Sequence, residues 1–262
     1  MHQLFLTNQE KEKLFAAMDT NVQVSIPNHL KNAIPNLQAM FDSTISTTSS
    51  KLGSVEVEGR FGHSTDCGGF SCGVSQRFME NCLQRMETFP DWINTPAWQD
   101  TYDYFYDDKK GNPMRTTTGS TGGVLTHIRK MPLQRQQFLI EEPSQHSPSH
   151  VRVGVSCEIP VAEEDIPDVV APKYVRRKLR KAFQMDHWTF DFTKTWSGKT
   201  KAEVDEVFTQ GESPVYEMEI EILDIQGYLK LPHHNSMYTA ISLLLKICDL
   251  LPQKAPRLLV VQ

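Results

Sequence analysis

Apolar and polar residues alternate along several stretches of this chain, and a period of two predicts strands with one dry face and one charged face. In Val215–Leu223, Glu217, Glu219 and Glu221 fall on one face, with Met218, Ile220 and Ile222 on the other. Val55–Phe61 repeats the pattern, with Glu56, Glu58 and Arg60 sharing a face. Val151–Ile159 sets Arg152, Gly154, Ser156 and Glu158 against Val151, Val153, Val155 and Cys157. Tyr174–Ala182 files Arg176, Lys178 and Arg180 together, although Arg177 and Lys181 place charge on the opposite face as well. Trp188–Trp196 sets Thr189, Asp191, Thr193 and Thr195 against Trp188, Phe190 and Phe192. Shorter strands are predicted at Thr101–Asp107, Met114–Thr118, Val124–Met131 and Gln134–Glu141. Gly62–Gly73 reads as a loop. Asp107–Gly123 reads as a mobile hairpin region and not as a phosphate-gripping loop, because it lacks the G-K-[ST] ending.

Helical spacing is confined to a few segments. Thr7–Met18 carries a capping box at Thr7 and Glu10, and a second helix is predicted around Asn36–Phe41. Ser75–Met86 follows Val74 and presents Phe78, Cys82 and Met86 as a core stripe. Thr200–Phe208 opens on the capping pair Thr200 and Glu203, and Asn235–Leu251 places Ile241, Leu244, Leu245 and Leu251 among its apolar positions. Strands following one another with few helices between them predict an α+β chain dominated by an antiparallel sheet. If the charged faces converge, the sheet closes on a hydrophilic bore, and its apolar outside needs a cover of helices and loops.

Composition narrows the chemistry. A net charge of −5 over 262 residues argues against a broad basic surface for nucleic acid, so any polyanion must meet a local cluster of cations. Five cysteines (Cys67, Cys72, Cys82, Cys157 and Cys248) without C-x-x-C spacing predict free thiols in a reduced compartment and no structural zinc. The N-terminus runs straight into polar residues, and no apolar run approaches the roughly 20 residues of a membrane span, so a soluble intracellular protein is expected.

Three carboxylates in file, each roughly 7 Å from the next, repel by about 2 kcal/mol per neighbouring pair at an effective dielectric of about 20. On an open surface solvent screens that cost. Two such files in one chain, at Glu56/Glu58 and Glu217/Glu219/Glu221, point instead to a shared site for a hard cation, which takes oxygen ligands. Placed in the same bore as Arg60, Lys130, Arg152, Lys178 and Arg180, they make an acidic corner beside a basic wall, the arrangement that metal-assisted phosphoryl transfer requires. Trp188, Trp196, the His233-His234 pair and the cysteines read as structural.

The ordered set of files carries a family resemblance. E-x-E-x-R at Glu56, the strand carrying Arg152, Ser156 and Glu158 with R-x-x-x-S-x-E spacing, R-x-K-x-R at Arg176, D-x-T at Asp191 and Thr193, and the terminal E-x-E-x-E succeed one another. Subsidiary matches are Ser71-Cys72-Gly73-Val74 with Phe78, and Asp103-Tyr104-Phe105-Tyr106 followed by Arg115 and Lys130. Together they resemble the triphosphate tunnel metalloenzymes, specifically the metal-dependent RNA 5′-triphosphatases of mRNA capping. The resemblance spans about Leu52–Leu223. It implies an eight-stranded antiparallel β-barrel with a hydrophilic interior and helices outside, formed by residues 51–262. Residues 1–50 are expected to be a helical segment packed on that barrel within a single domain.

The resemblance also implies roles. Glu56, Glu58 and Glu221 would bind Mg2+ or Mn2+ directly, with Glu219 beside them and Glu217 acting through water or by holding cations. Arg115, Lys178 and Arg180 would grip the γ-phosphate, supported by Lys130 and Arg152, while Glu158 positions the attacking water. Arg60, Asp103, Arg176, Asp191 and Thr193 would support these groups. The implied substrate is 5′-triphosphate RNA, with a guanylyltransferase as a partner, residence in the nucleus and a monomeric state, a homodimer being left open. Two alternatives are a tunnel phosphatase for tripolyphosphate, thiamine triphosphate or free nucleotides, and a non-catalytic scaffold that keeps the fold.

Overall fold

In the computed structural model the described residues are 30–261, except 46–52, Gly68, Thr95, 168–170, His233 and 253–255. The helix predicted at Thr7–Met18 lies outside them. The elements run α1 (Ala33–Thr44), β1 (Ser54–Ser64), β2 (Phe70–Cys72), α2 (Gln76–Glu87), β3 (Trp98–Asp107), β4 (Pro113–Gly119), β5 (Val124–Ile140) and β6 (His150–Pro160). They continue as β7 (Tyr174–Met185), β8 (Trp188–Gly198), α3 (Lys201–Thr209), β9 (Val215–Ile222), α4 (Ile225–Tyr228), α5 (Ser236–Leu250) and β10 (Leu258–Val260).

Eight antiparallel strands close on themselves in the order β5-β4-β3-β7-β8-β9-β1-β6, and β6 pairs back onto β5. Closure leaves no free edge within the barrel itself. The short strands β2 and β10 pair onto β1 and β5.

The alternation decides which way each strand faces. Val55, Val57, Val151, Val153, Val155, Phe190, Phe192, Met218, Ile220 and Ile222 point away from the bore and are buried. Their cover is one continuous apolar cluster with α1, α2 and α5, contributed by Leu37 and Phe41, by Phe78 and Cys82, and by Leu243, Leu244 and Ile247. Each such side chain contributes about 1.5–3 kcal/mol when fully buried, so the outer layer, not the charged bore, holds the barrel together. Gly59 lets α5 approach β1: a Cβ there would lie 3.3 Å from Ile247 Cδ1. A smaller cluster of Tyr102, Val175, Trp196 and Val204 forms under α3.

The helix starts follow the sequence signals. The side chains of Ser75, Thr200 and Asn235 accept hydrogen bonds from the backbone N–H groups of Phe78, Glu203 and Tyr238. The predicted capping box at α3 is displaced by one residue, because the Glu203 carboxylate accepts from Lys199 N at 2.7 Å.

Two expectations about elements are corrected. Val124–Met131 and Gln134–Glu141 are a single strand, β5, in which a register shift between Pro132 and Gln134 absorbs the missing proline N–H. Gly62–Gly73 is largely a hairpin, with β1 continuing to Ser64 and turning back as β2. The short elements α4 and β10 carry too few residues to show a period and were not anticipated. No described helix is long and apolar enough to cross a membrane.

Candidate active site

The register brings the two acidic files side by side. On adjacent strands Glu58 stands opposite Glu221, and Arg60 opposite Glu219. On the other side of β1, Glu56 pairs with Ser156, while Glu158 faces Lys130 across β5 and β6. The bore encloses a cavity of about 430 Å³ whose lining includes Glu56, Glu58, Glu158, Glu219 and Glu221. It also includes Arg60, Arg115, Lys130, Arg152, Arg176, Lys178 and Arg180, so side chains predicted from widely separated motifs share one chamber.

Ion pairs organise the chamber. Lys130 Nζ lies 2.6 Å from Glu56 Oε2 and 3.1 Å from Glu58 Oε2. Arg60 bridges Glu58 at 2.9 Å and Glu219 at 3.3 Å. Arg115 reaches Glu158 at 3.4 Å. Arg152 lies over the Phe70 ring, 4.5 Å from its centre.

Asp103, Asp191 and Glu217 are outside the cavity lining and hold its cations from behind. Asp103 pairs with Lys178 and accepts the Thr117 hydroxyl at 2.7 Å. Asp191 binds Arg180 at 2.9 Å and accepts from Thr189. Glu217 takes Arg176 at 2.7 Å and the Thr195 hydroxyl at 3.0 Å. The Thr193 hydroxyl is buried without a hydrogen-bond partner among the described residues, so the support anticipated from it is not made through a bond.

Protonation separates the carboxylates. Burial, reinforced by Glu58, pushes Glu56 up to about 7 despite Lys130. Glu58 is buried too, but Arg60 and Lys130 outweigh that penalty and hold its carboxyl low. Glu219 is likewise buried, and Arg60 and Arg180 pull it below the ordinary range. Glu221 has no hydrogen bond or ion pair among the described residues. Burial and the surrounding Glu56, Asp191, Glu219 and Glu58 raise it to about 8. On the basic wall, burial lowers Lys178 to about 8 even with Asp103 beside it.

No group of three His, Cys, Asp or Glu side chains forms a closed metal cage among the described residues, because Lys130 and Arg60 stand between the carboxylates. The donor set nevertheless fits a hard divalent cation. It is all oxygen, Lys130 already serves as a stand-in cation between Glu56 and Glu58, and the unpaired Glu221 carries the like-charge cost that a cation relieves.

A family model described as mRNA capping enzyme, beta chain, matches residues 75–238. The chain belongs to this family. The matched span takes in the acidic β9 and the basic β7 but begins after β1, so Glu56 and Glu58 join the site through the β1–β9 register. The fold is similar to that of the S. pombe Pct1 RNA triphosphatase at 14% identity, with a TM-score of 0.58 over 83% of this chain and 88% of that one. The same yeast protein in complex with the Spt5 CTD gives a TM-score of 0.62 at 14% identity over 90% of this chain and 97% of the other. The Mimivirus capping enzyme triphosphatase gives 0.54 at 14% identity, over 84% and 97%. Comparison with curated proteins gives no match.

Among the lining residues that carried no predicted role are Phe105, Pro132, Arg135 and Tyr174. Tyr174 sits two positions before Arg176 on the same face, so the alternation contained it, but an aromatic ring does not announce itself beside three cations.

Proposed function

We propose that this protein hydrolyses the γ-phosphate from the 5′-triphosphate end of nascent mRNA, leaving a 5′-diphosphate. The observation that carries this is one closed bore in which Glu56, Glu58, Glu219 and Glu221 share a chamber with Arg115, Arg152, Lys178 and Arg180. Neither set is stable alone at this burial, and a polyphosphate with a divalent cation complements both.

On this reading Arg115, Lys178 and Arg180 bind γ-phosphate oxygens. Lys178, held near 8 by burial, stays mostly protonated at neutral pH for that purpose. Asp103 and Asp191 fix the two strand β7 cations, so little reorganisation is needed when charge spreads over the equatorial oxygens. Arg152 supports the remaining phosphates. Glu158, pinned by Arg115, accepts a hydrogen bond from the attacking water and orients it in line. Glu56, Glu58, Glu219 and Glu221 would hold Mg2+ or Mn2+, with Lys130 yielding its place between Glu56 and Glu58. A bound divalent cation supplies charge neutralisation and polarises the phosphoryl oxygen.

Residence in the nucleus and delivery of the diphosphate end to a guanylyltransferase follow from this role. The test is RNA carrying label in either the γ- or the β-phosphate, incubated with Mn2+. The expected result is release of the γ-label as inorganic phosphate with the β-label retained on RNA. Release of pyrophosphate, or turnover of tripolyphosphate alone, overturns the assignment.

A further inference from the structure

We propose that the rings of Phe105 and Tyr174 form a stacking platform for the base of the 5′-terminal nucleotide at the mouth of the tunnel. This rests on reading the chamber as the triphosphate site. The two residues are cross-strand partners on β3 and β7, with ring centres 4.2 Å apart and planes only 10° from parallel. They line a cavity whose other walls are largely charged, and Tyr174 is 43% exposed. A large aromatic side chain half open to solvent beside a polyphosphate chamber contributes little to stability.

A second, more open pocket of about 630 Å³ shares Tyr174 and Arg176 with the tunnel cavity. The remaining lining of that pocket includes Thr195, Ser197 and Lys199. Tyr174 therefore stands where the charged chamber passes into a roomier, more open pocket. A nucleotide whose triphosphate lies among Arg115, Lys178 and Arg180 has its base beyond the phosphates, and the outer face of Tyr174 can extend the two-ring stack by a third ring. Every base has a π-face, so such a platform accepts any 5′ nucleotide and discriminates only against substrates without a base.

The measurement is calorimetric binding of two probes to the full chain: a nucleoside triphosphate with β,γ-methylene bridging, and methylene-bridged tripolyphosphate. Wild type, Tyr174→Ala, Tyr174→Leu and Tyr174→Phe are compared, with thermal unfolding as a check on each. The expected result is that the Ala and Leu variants bind the nucleotide at least about fivefold more weakly while tripolyphosphate changes by less than about twofold, with Phe equal to wild type. The Leu variant retains apolar bulk without a π-face and carries the test if the Ala variant does not fold. Equal loss for both probes, no loss for either, or loss in the Phe variant overturns the platform. Because binding is read without turnover, failure of the wild type to release phosphate defeats the functional assignment separately and leaves this comparison readable.

Discussion

Replacing Asp103 by alanine removes the ion-pair partner of Lys178 and leaves a buried ammonium beside Arg115, Arg176 and Arg180, with Glu219 and Asp191 as its remaining carboxylate neighbours. Asp103 is 2% exposed and Lys178 7%, so water screens little of the loss. Two routes bound the magnitude. Unit charges about 4 Å apart at an effective dielectric of about 20 interact by about 4 kcal/mol. The lysine can instead shed its proton, and from a wild-type pKa of about 8 neutrality at pH 7 costs only about 1.4 kcal/mol, at about 1.36 kcal/mol per unit. The cheaper route sets the loss, so the variant is expected to lose about 1.5–3 kcal/mol at pH 7, from proton release together with the lost bond from the Thr117 hydroxyl. Urea unfolding with linear extrapolation measures it. The loss should shrink as pH rises from 7 towards 9, because Lys178 also becomes neutral in the wild-type fold above about 8. Asp103→Leu combined with Lys178→Met should recover most of the stability, since both buried charges are gone. A single-variant loss below about 1 kcal/mol, or a double variant no more stable than the single, refutes the reasoning.

Two further perturbations probe the other wall and the frame. Glu221 is raised from 4.5 to about 8, so its favourable contribution is full below pH 4.5 and is lost as pH rises to about 8. Glu221→Gln should therefore stabilise the metal-free protein at pH 8 and above but have little effect at pH 4.5, as read by thermal unfolding in chelator; destabilisation at pH 8 contradicts the assignment. Gly62→Ala places a Cβ 2.1 Å from Ser71 O and should cost about 1–3 kcal/mol by prying β2 from β1. Because Phe70 on β2 underlies Arg152, phosphate release should fall with it, and an unchanged unfolding midpoint excludes the clash.

The strands were legible because their two faces differ so sharply: Met218, Ile220 and Ile222 could not share a solvent with Glu217, Glu219 and Glu221. That contrast also gave the inward direction of the site residues. The partner choices were not legible, because register between strands far apart in sequence decides them. Nothing local says that Lys130 will lie between Glu56 and Glu58, or that Glu217 will hold Arg176 while Asp103 holds Lys178. Pro132 misled in the other direction, since proline normally ends a strand and here sits at a bulge that the barrel tolerates. The rings of Phe105 and Tyr174 were visible as residues, but their parallel stack depends on β3 meeting β7 in one register.

The most direct test of the whole account is Mn2+-dependent release of γ-labelled phosphate from triphosphate-ended RNA by wild type and Glu58→Ala, with circular dichroism of both. Glu58 stands opposite Glu221 and contacts both Arg60 and Lys130, so it joins the acidic wall to the cations. The account predicts release by the wild type and a loss of at least about a hundredfold in a folded variant, the scale of removing one preorganised charge from such a site. Normal turnover by a folded Glu58→Ala protein would contradict it.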